Sequence, residues 1–200
     1  MSCRARNKAA RSASTLALLL GHLPLAGAAG DLQPHEYLDQ ETAATVTVVG
    51  EPIIFANART EVAANARDYV TVAAAAVDRN GKVSYVLVAY FWSTVDPRVR
   101  GYAMPNPEPL VMQADDRRIE LTLRGHSPYD AGISVPVHPP PGPATTPNVY
   151  SIDLGTLRSI AESRQLSLMA ETNVSLVPYT LWEDHRAALR AFVHRLSGGL

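Results

Sequence analysis

The chain has 200 residues, 46% of them hydrophobic and 18% charged, with 15 prolines, 12 glycines and one cysteine. Such a composition can bury a core, which excludes wholesale disorder and collagen-like structure, and the length fits one domain better than two. With 18 basic and 19 acidic residues the formal net charge is −1, so there is no basic excess with which to grip nucleic acid.

The first thirty residues read as an export signal. Arg4, Arg6, Lys8 and Arg11 form a basic start with no acid before Asp31, and Leu16 to Leu25 form an apolar stretch interrupted by Gly21, His22 and Pro24. Ala26 and Ala28 occupy the −3 and −1 positions of an A-x-A site, which places cleavage after Ala28, with Ala29 as the second choice. The stretch is shorter than the roughly 20 apolar residues of a membrane span and holds a proline, so no transmembrane anchor is expected after cleavage. No twin-arginine pair precedes it, which points to the general secretory (Sec-type) route and a periplasmic product. Leu25-Ala26-Gly27 resembles the first three positions of a bacterial lipobox, but the fourth, where the lipid-bearing cysteine must stand, is Ala28. Cys3 lies upstream of the apolar stretch and cannot serve. The resemblance implies lipoprotein-like ancestry without the anchor.

Removal of residues 1–28 leaves 14 basic and 19 acidic residues, a net charge of −5, and no cysteine. The mature chain then has no disulfide and must rely on a hydrophobic core. Residues 29–42 read as a polar, extended leader, and residues 43–200 as a single β-rich domain.

Within that domain, Ala44 to Ala56 is rich in Val, Ile and Thr around Pro52, which predicts a strand, a break and a second strand. Tyr69 to Val77 and Val83 to Thr94 flank Asn80-Gly81, the preferred dipeptide of a two-residue hairpin turn. Arg79 then faces Lys82, Ala74 faces Leu87 and Ala76 faces Tyr85, so small residues lie opposite large ones. Both faces of the second strand are apolar, as expected of a strand covered on both sides. Leu110 to Ala114 and Ile119 to Leu123 predict another hairpin around residues 115–118. Ile133 to Val137 predicts a short strand, and His138 to Asn148 a proline-set loop. In the last quarter, Val149 to Ile152 predicts a strand and Asp153 caps a helix carrying Leu154, Leu157, Ile160 and Ala161 on one face. Leu166 to Ala170 and Val174 to Tyr179 read as strands. Thr180 and Glu183 have the spacing of a capping box, which predicts a helix with Leu181, His185, Leu189, Phe192 and Leu196 in one stripe, ended by Gly198. The fold class expected is α+β: a mainly antiparallel sheet or sandwich with two helices in the C-terminal quarter. The competing arrangement is a parallel crossover of strand 149–152, its helix and strand 166–170.

The motifs that announce common chemistries are absent. There is no G-x-S-x-G, H-E-x-x-H, C-x-x-C, Walker loop or dinucleotide fingerprint. No cofactor is expected. Two groups of residues merit attention as binding sites. Trp92 ends the central strand and runs into a loop bearing Asp96, Arg98, Arg100 and Tyr102, the kind of strand end that carries binding groups. His126, Asp130 and His138 surround the short predicted strand and carry side chains able to bind a divalent metal or exchange a proton. His185 and His194, nine apart on one predicted helix, fall on opposite faces and cannot share a metal. Adjacent acids in Asp115-Asp116-Arg117-Arg118 read as solvated and locally neutralised.

The stretch from Ala66 to Arg98 (ARDYVTVAAAAVDRNGKVSYVLVAYFWSTVDPR), together with the ending LWEDHRAAL of residues 181–189, resembles a group of uncharacterised exported and lipoprotein-like proteins of high-GC Gram-negative bacteria. That group brings no activity with it; it implies an envelope setting. The function expected is a soluble periplasmic protein, most simply a non-enzymatic one that binds an envelope protein or a small ligand. The alternative is a metal-binding protein or hydrolase using His126, Asp130 and His138.

Overall fold

The computed structural model describes residues 32–98, 100–105, 107–141, 146–171 and 176–198. The expected export signal, with its expected cleavage after Ala28, and the start of the strand expected at Val174 lie outside them. In chain order the elements are β1 (His35–Asp39), β2 (Ala44–Val48), β3 (Ile53–Ala58), β4 (Arg67–Arg79), β5 (Lys82–Ser93), β6 (Pro109–Ala114), β7 (Arg117–Gly125), a 3-10 turn (Pro128–Ala131), β8 (Asn148–Ile152), α1 (Leu154–Glu162), β9 (Leu166–Glu171), β10 (Leu176–Glu183) and α2 (Arg186–Ser197). The mainly antiparallel α+β class and the two helices are as expected, but the sheet is not a sandwich. Strands β4, β3, β10, β9, β6, β7, β8 and β5 pair in that order, and β5 pairs back onto β4, which closes an eight-stranded barrel. Every pairing among the described strands is antiparallel, and β8 and β9 are not neighbours, so the parallel crossover does not occur.

The hairpin β4–β5 is the spine. Its register runs from Asp68 opposite Ser93 to Arg79 opposite Lys82, the pairing that the Asn80-Gly81 turn predicts. Both turn residues have positive φ (55° and 75°), the conformation for which Asn and Gly are suited. β4 is long enough to take two partners on its other edge. β3 pairs with its first half and β2 with its second, and the break predicted around Pro52 falls between them, at residues 49–52. α2 enters at this break. His185 Nδ1 lies 2.8 Å from the Pro52 carbonyl and Nε2 lies 3.1 Å from the Glu51 carboxylate.

Inward-facing side chains such as Phe55, Val72, Phe91, Met112, Tyr150 and Leu168 are all at most 4% exposed. An eight-stranded barrel is just wide enough for side chains to fill it. The helices close the end toward the β4–β5 turn, with Ile160 of α1 and Leu189 of α2 set against Val72, Ala74, Leu87 and Met112. The space left among these residues is about 10 Å³, room for one water at most. The barrel is a packed core, not a container.

Four local expectations change. Residues 35–39 of the extended leader form β1, paired antiparallel to β2 at the edge of the sheet. Ile133 to Val137 is not a strand: Gly132 and His138 have positive φ at either end, and Ser134 gives its N–H to Asp39 instead of to a neighbouring strand. This strap passes the outer face of β4 at Val77 and of β5 at Tyr90, with Ile133 and Val137 buried, and it explains why both faces of β5 are apolar. The second hairpin turns on Asp115 and Asp116 alone, since Ala114 pairs with Arg117. Asp115 Oδ1 accepts the N–H groups of Arg164 and Gln165, so this acid pins the α1–β9 connection while Asp116 stays exposed. Finally, β10 runs on to Glu183, and α2 starts at Arg186 with His185 at its N-cap. Leu181 and Glu183 pair with Phe55 and Ile54 of β3, with Trp182 carried between them, and this pairing outweighs the capping-box spacing at Thr180.

Asp39 fastens the strap. Its carboxylate accepts the Ser134 N–H and hydroxyl (2.6 and 2.9 Å) and the N–H groups of Glu41 and Thr42. The Ser134 N–H leads in holding its pKa down from 3.8 to about 2. A carboxylate favoured in the fold stabilises it above the unfolded pKa, and the gain is lost as pH falls from about 4 through about 2. Acid titration of the urea midpoint is expected to show this loss, and Asp39→Asn is expected to flatten it. An unchanged acid slope in Asp39→Asn would show that the strap is held by something else.

Candidate functional site

At the barrel end away from the helices, β5 stops and β4 begins, and the alternation of β5 divides its last aromatics. Phe91 points inward at 0% exposure and meets Tyr179 edge-on, with centroids 6.3 Å apart. Trp92 points outward and stacks on Tyr69, its partner across the ladder, with ring centroids 4.3 Å apart and planes 15° from parallel. The indole N–H donates to Thr71 Oγ1 at 3.0 Å, which fixes the ring along the outer face.

Trp182 joins this pair from the other side. The register of β10 on β3 shifts between Leu181 and Glu183, so Trp182 is the extra residue of a β-bulge, a device that re-aims a side chain. On β3 the residue opposite both Tyr69 and Thr180 is Ala56, whose small side chain lets the rings meet across the strand. Trp182 stands edge-on to Tyr69 (6.0 Å, 75°), and the Arg67 guanidinium lies 4.8 Å from its centroid. Trp182 is 50% exposed. The three rings form a corner on the outside of the barrel, with a cation at its edge.

The polar mouth of the barrel lies beside this corner. Asp68 points inward and is fully buried; its carboxylate accepts the Tyr102 hydroxyl at 2.8 Å and Arg59 Nη1 at 3.2 Å. Arg59 also reaches Glu61 and lies 3.8 Å over the Tyr102 ring. Burial, reinforced by the bond to Asp68, pushes the Tyr102 hydroxyl pKa up. Burial and the charge on Asp68 push Tyr179 up as well. The Tyr179 hydroxyl is buried and has no hydrogen-bond partner among the described residues. Removing an unsatisfied hydroxyl costs nothing in lost bonds, so Tyr179→Phe is expected to match or exceed the parent stability. A loss above about 1 kcal/mol in urea unfolding would show that the hydroxyl holds a bond of ordinary worth.

The structure therefore gathers Trp92, Asp96, Arg98 and Tyr102 at one end. Their roles differ. Asp96 shapes the turn, its Oδ1 accepting the Arg98 N–H at 2.8 Å, while the Arg98 side chain makes no ion pair among the described residues. Sequence reading missed Asp68, Tyr69, Arg59, Arg67, Trp182 and Tyr179. The hairpin register already placed Tyr69 opposite Trp92 and Asp68 opposite Ser93, a usable signal. Trp182 was hidden by its assignment to a helix.

His126, Asp130 and His138 are not brought together. His126 Nδ1 lies 2.9 Å from Asn148 Oδ1, and since an amide oxygen only accepts, Nδ1 carries the proton. Asn148 is fully buried and its amide donates to the Tyr150 hydroxyl, which donates to the Pro107 carbonyl. Asp130 accepts the Ser127 N–H in the capping box of the 3-10 turn, and its side chain occupies the space a Cβ on Gly125 would need. His138 Nε2 bonds the Val49 carbonyl at 2.6 Å. Each side chain is committed to its own partner, and among the described residues no three His, Cys, Asp or Glu side chains are grouped to hold a metal ion.

With the interior filled, a ligand has only the outside. One open hollow of about 560 Å³ lies between the β1–β2 edge, the β4–β5 hairpin and the last turn of α2. Its charges are largely satisfied within the fold: Arg195 pairs with Glu36 at 3.0 Å, and Thr47 donates to the same carboxylate. A second hollow of equal size runs along residues 93–100, bounded by Asp96, Arg98 and Arg100, at the Trp92 end. Arg59, Arg67, Arg98 and Arg100 stand at this end with Glu61, Asp68 and Asp96, and the exposed Glu183 follows Trp182 in β10. No helix among the described residues is long and apolar enough to cross a membrane. Comparison with protein-family models, curated proteins and solved structures returned no match.

Proposed function

We propose that the chain is exported by its Sec-type signal, cleaved after Ala28, and acts in the periplasm as a soluble, non-enzymatic binding protein of the bacterial envelope. The Trp92 end of the barrel is its binding face. The observation that carries this reading is the half-exposed Trp182, aimed by a β-bulge onto Tyr69 and Arg67 on the outside of a filled barrel. An aromatic of this size gains little for stability when half its surface stays in water, and exposed aromatics beside arginine recur where proteins bind. The export signal and the absence of catalytic motifs agree with a binding role.

A native mass spectrum of the protein purified from its own cells tests the reading. The expected result is a mature chain beginning at Ala29 that carries a non-covalent adduct, with the adduct lost in Trp182→Ala. A chain retaining Met1 would overturn the export assignment, and an adduct indifferent to position 182 would overturn the binding face.

A further inference from the structure

We infer that the hairpin end of the barrel carries an anion site for a phosphomonoester, a terminal phosphate with about two negative charges at neutral pH. The site lies at the opposite end from Trp182 and does not rest on the binding-face reading. Arg79 and Lys82 face each other across the last rung of the β4–β5 ladder, so both side chains leave the same face of the sheet, the outer one that also carries Trp92. Arg124 of β7 joins them. The three cations line one open hollow of about 390 Å³ together with Val77, Ser84 and Ala131, and no carboxylate lines it among the described residues. Both guanidiniums are seated on the same 3-10 turn. Arg124 Nε donates to the Asp130 carbonyl at 3.2 Å, a bond that uses neither of its terminal nitrogens. Arg79 Nη2 lies against Gly132, which ends that turn, so close that a Cβ there would stand 2.6 Å from it. Arg79, Lys82 and Arg124 make no ion pair among the described residues. The surrounding acids have other tasks. Asp78 Oδ1 accepts the Gly81 N–H, while Glu41 and Asp130, which line an adjoining hollow, accept the Tyr129 hydroxyl and the Ser127 N–H. The charge selects the ligand. A carboxylate or a phosphodiester brings one negative charge to three cations, whereas a phosphomonoester brings about two, with three terminal oxygens for two planar forks and an ammonium.

The test is a titration of the purified protein followed by phosphorus NMR and calorimetry. Its probes are glycerol phosphate, the diester dimethyl phosphate and, for a lipid source, vesicles of phosphatidylcholine with phosphatidylglycerol. The expected result is saturable binding of glycerol phosphate that weakens with added salt, and weakens again below about pH 6 as the dianion takes up a proton. No histidine lines the hollow, so that loss belongs to the ligand. Dimethyl phosphate is expected to bind about tenfold more weakly, and the vesicles not at all. Arg79→Gln, Lys82→Gln and Arg124→Gln are each expected to weaken glycerol phosphate about five- to tenfold, with circular dichroism unchanged. Lys82→Arg is expected to keep most of the affinity, and Trp182→Ala all of it. Equal affinity for the diester would reduce the site to a charge effect and overturn the assignment. So would an affinity unmoved by the three glutamine substitutions, or no binding of glycerol phosphate. Vesicle binding lost in Lys82→Gln, without glycerol phosphate binding, would make this end a membrane-facing surface and overturn it equally. Trp182 takes no part here, so failure of this site leaves the binding face standing, and an adduct unaffected by Trp182→Ala fails that face alone.

Discussion

Arg59→Met is expected to destabilise the protein by about 3 kcal/mol, more than the loss of an ordinary ion pair, because of what it leaves behind. The Asp68 side chain is 1% exposed and the Arg59 side chain 21%. Without the guanidinium, Asp68 keeps one bond, from Tyr102, and has no route to water. The reverse substitution is milder. Asp68→Asn still accepts from Tyr102, and the stranded Arg59 reaches solvent and Glu61. The double variant is expected to lose clearly less than the sum of the two, since the second change removes the charge that the first one stranded. Urea unfolding of the four proteins checks this. Additive losses would mean that the pair is not coupled and that the barrel mouth admits water.

Phe91→Ala is expected to cost about 3–5 kcal/mol, whereas Trp182→Ala, which removes a larger ring, is expected to cost about 1 kcal/mol. The contrast follows from the closed barrel. Phe91 is fully buried on a strand tied to β4 along its whole length and to β8 as far as Ala89, so the surroundings cannot collapse into the space it leaves. Trp182 leaves only an edge contact with Tyr69 and the Arg67 stack on a surface already half in water. Unfolding midpoints at an unchanged denaturant slope measure both. A loss for Trp182→Ala comparable to that for Phe91→Ala would make the ring a structural part and remove the reason to read it as a binding group.

Much of the local structure was legible in the sequence because it depends on neighbours in the chain. Asn80-Gly81 set the turn and the register of the longest hairpin, Pro52 marked the break between β2 and β3, and Asp153 capped α1 through the Thr156 N–H. Closure was not legible. It rests on β3 with β10, β5 with β8 and β6 with β9, pairs brought together from distant parts of the chain without a turn between them. The same blindness affected the site. Trp92 and Tyr102 stood out as aromatics at a strand end, but Trp182 reaches Tyr69, the ring stacked on Trp92, only through the β3–β10 pairing. Its segment has the composition of a helix start, and the bulge that aims it leaves no sequence signature. His126, Asp130 and His138 looked like ligands because they are close in the chain. Folding sends them to Asn148, Ser127 and Val49, each a different structural task.

The central claim is that this filled barrel binds through its outer aromatic–arginine corner. A photo-reactive phenylalanine analogue placed at position 182 in the native envelope tests it most directly, with the same residue at Val83, on the hairpin at the opposite end, as the control. Adduct formation at position 182 that is absent at position 83 and suppressed by Arg67→Gln is the predicted result. No adduct at position 182, or equal yields at the two positions, would contradict it.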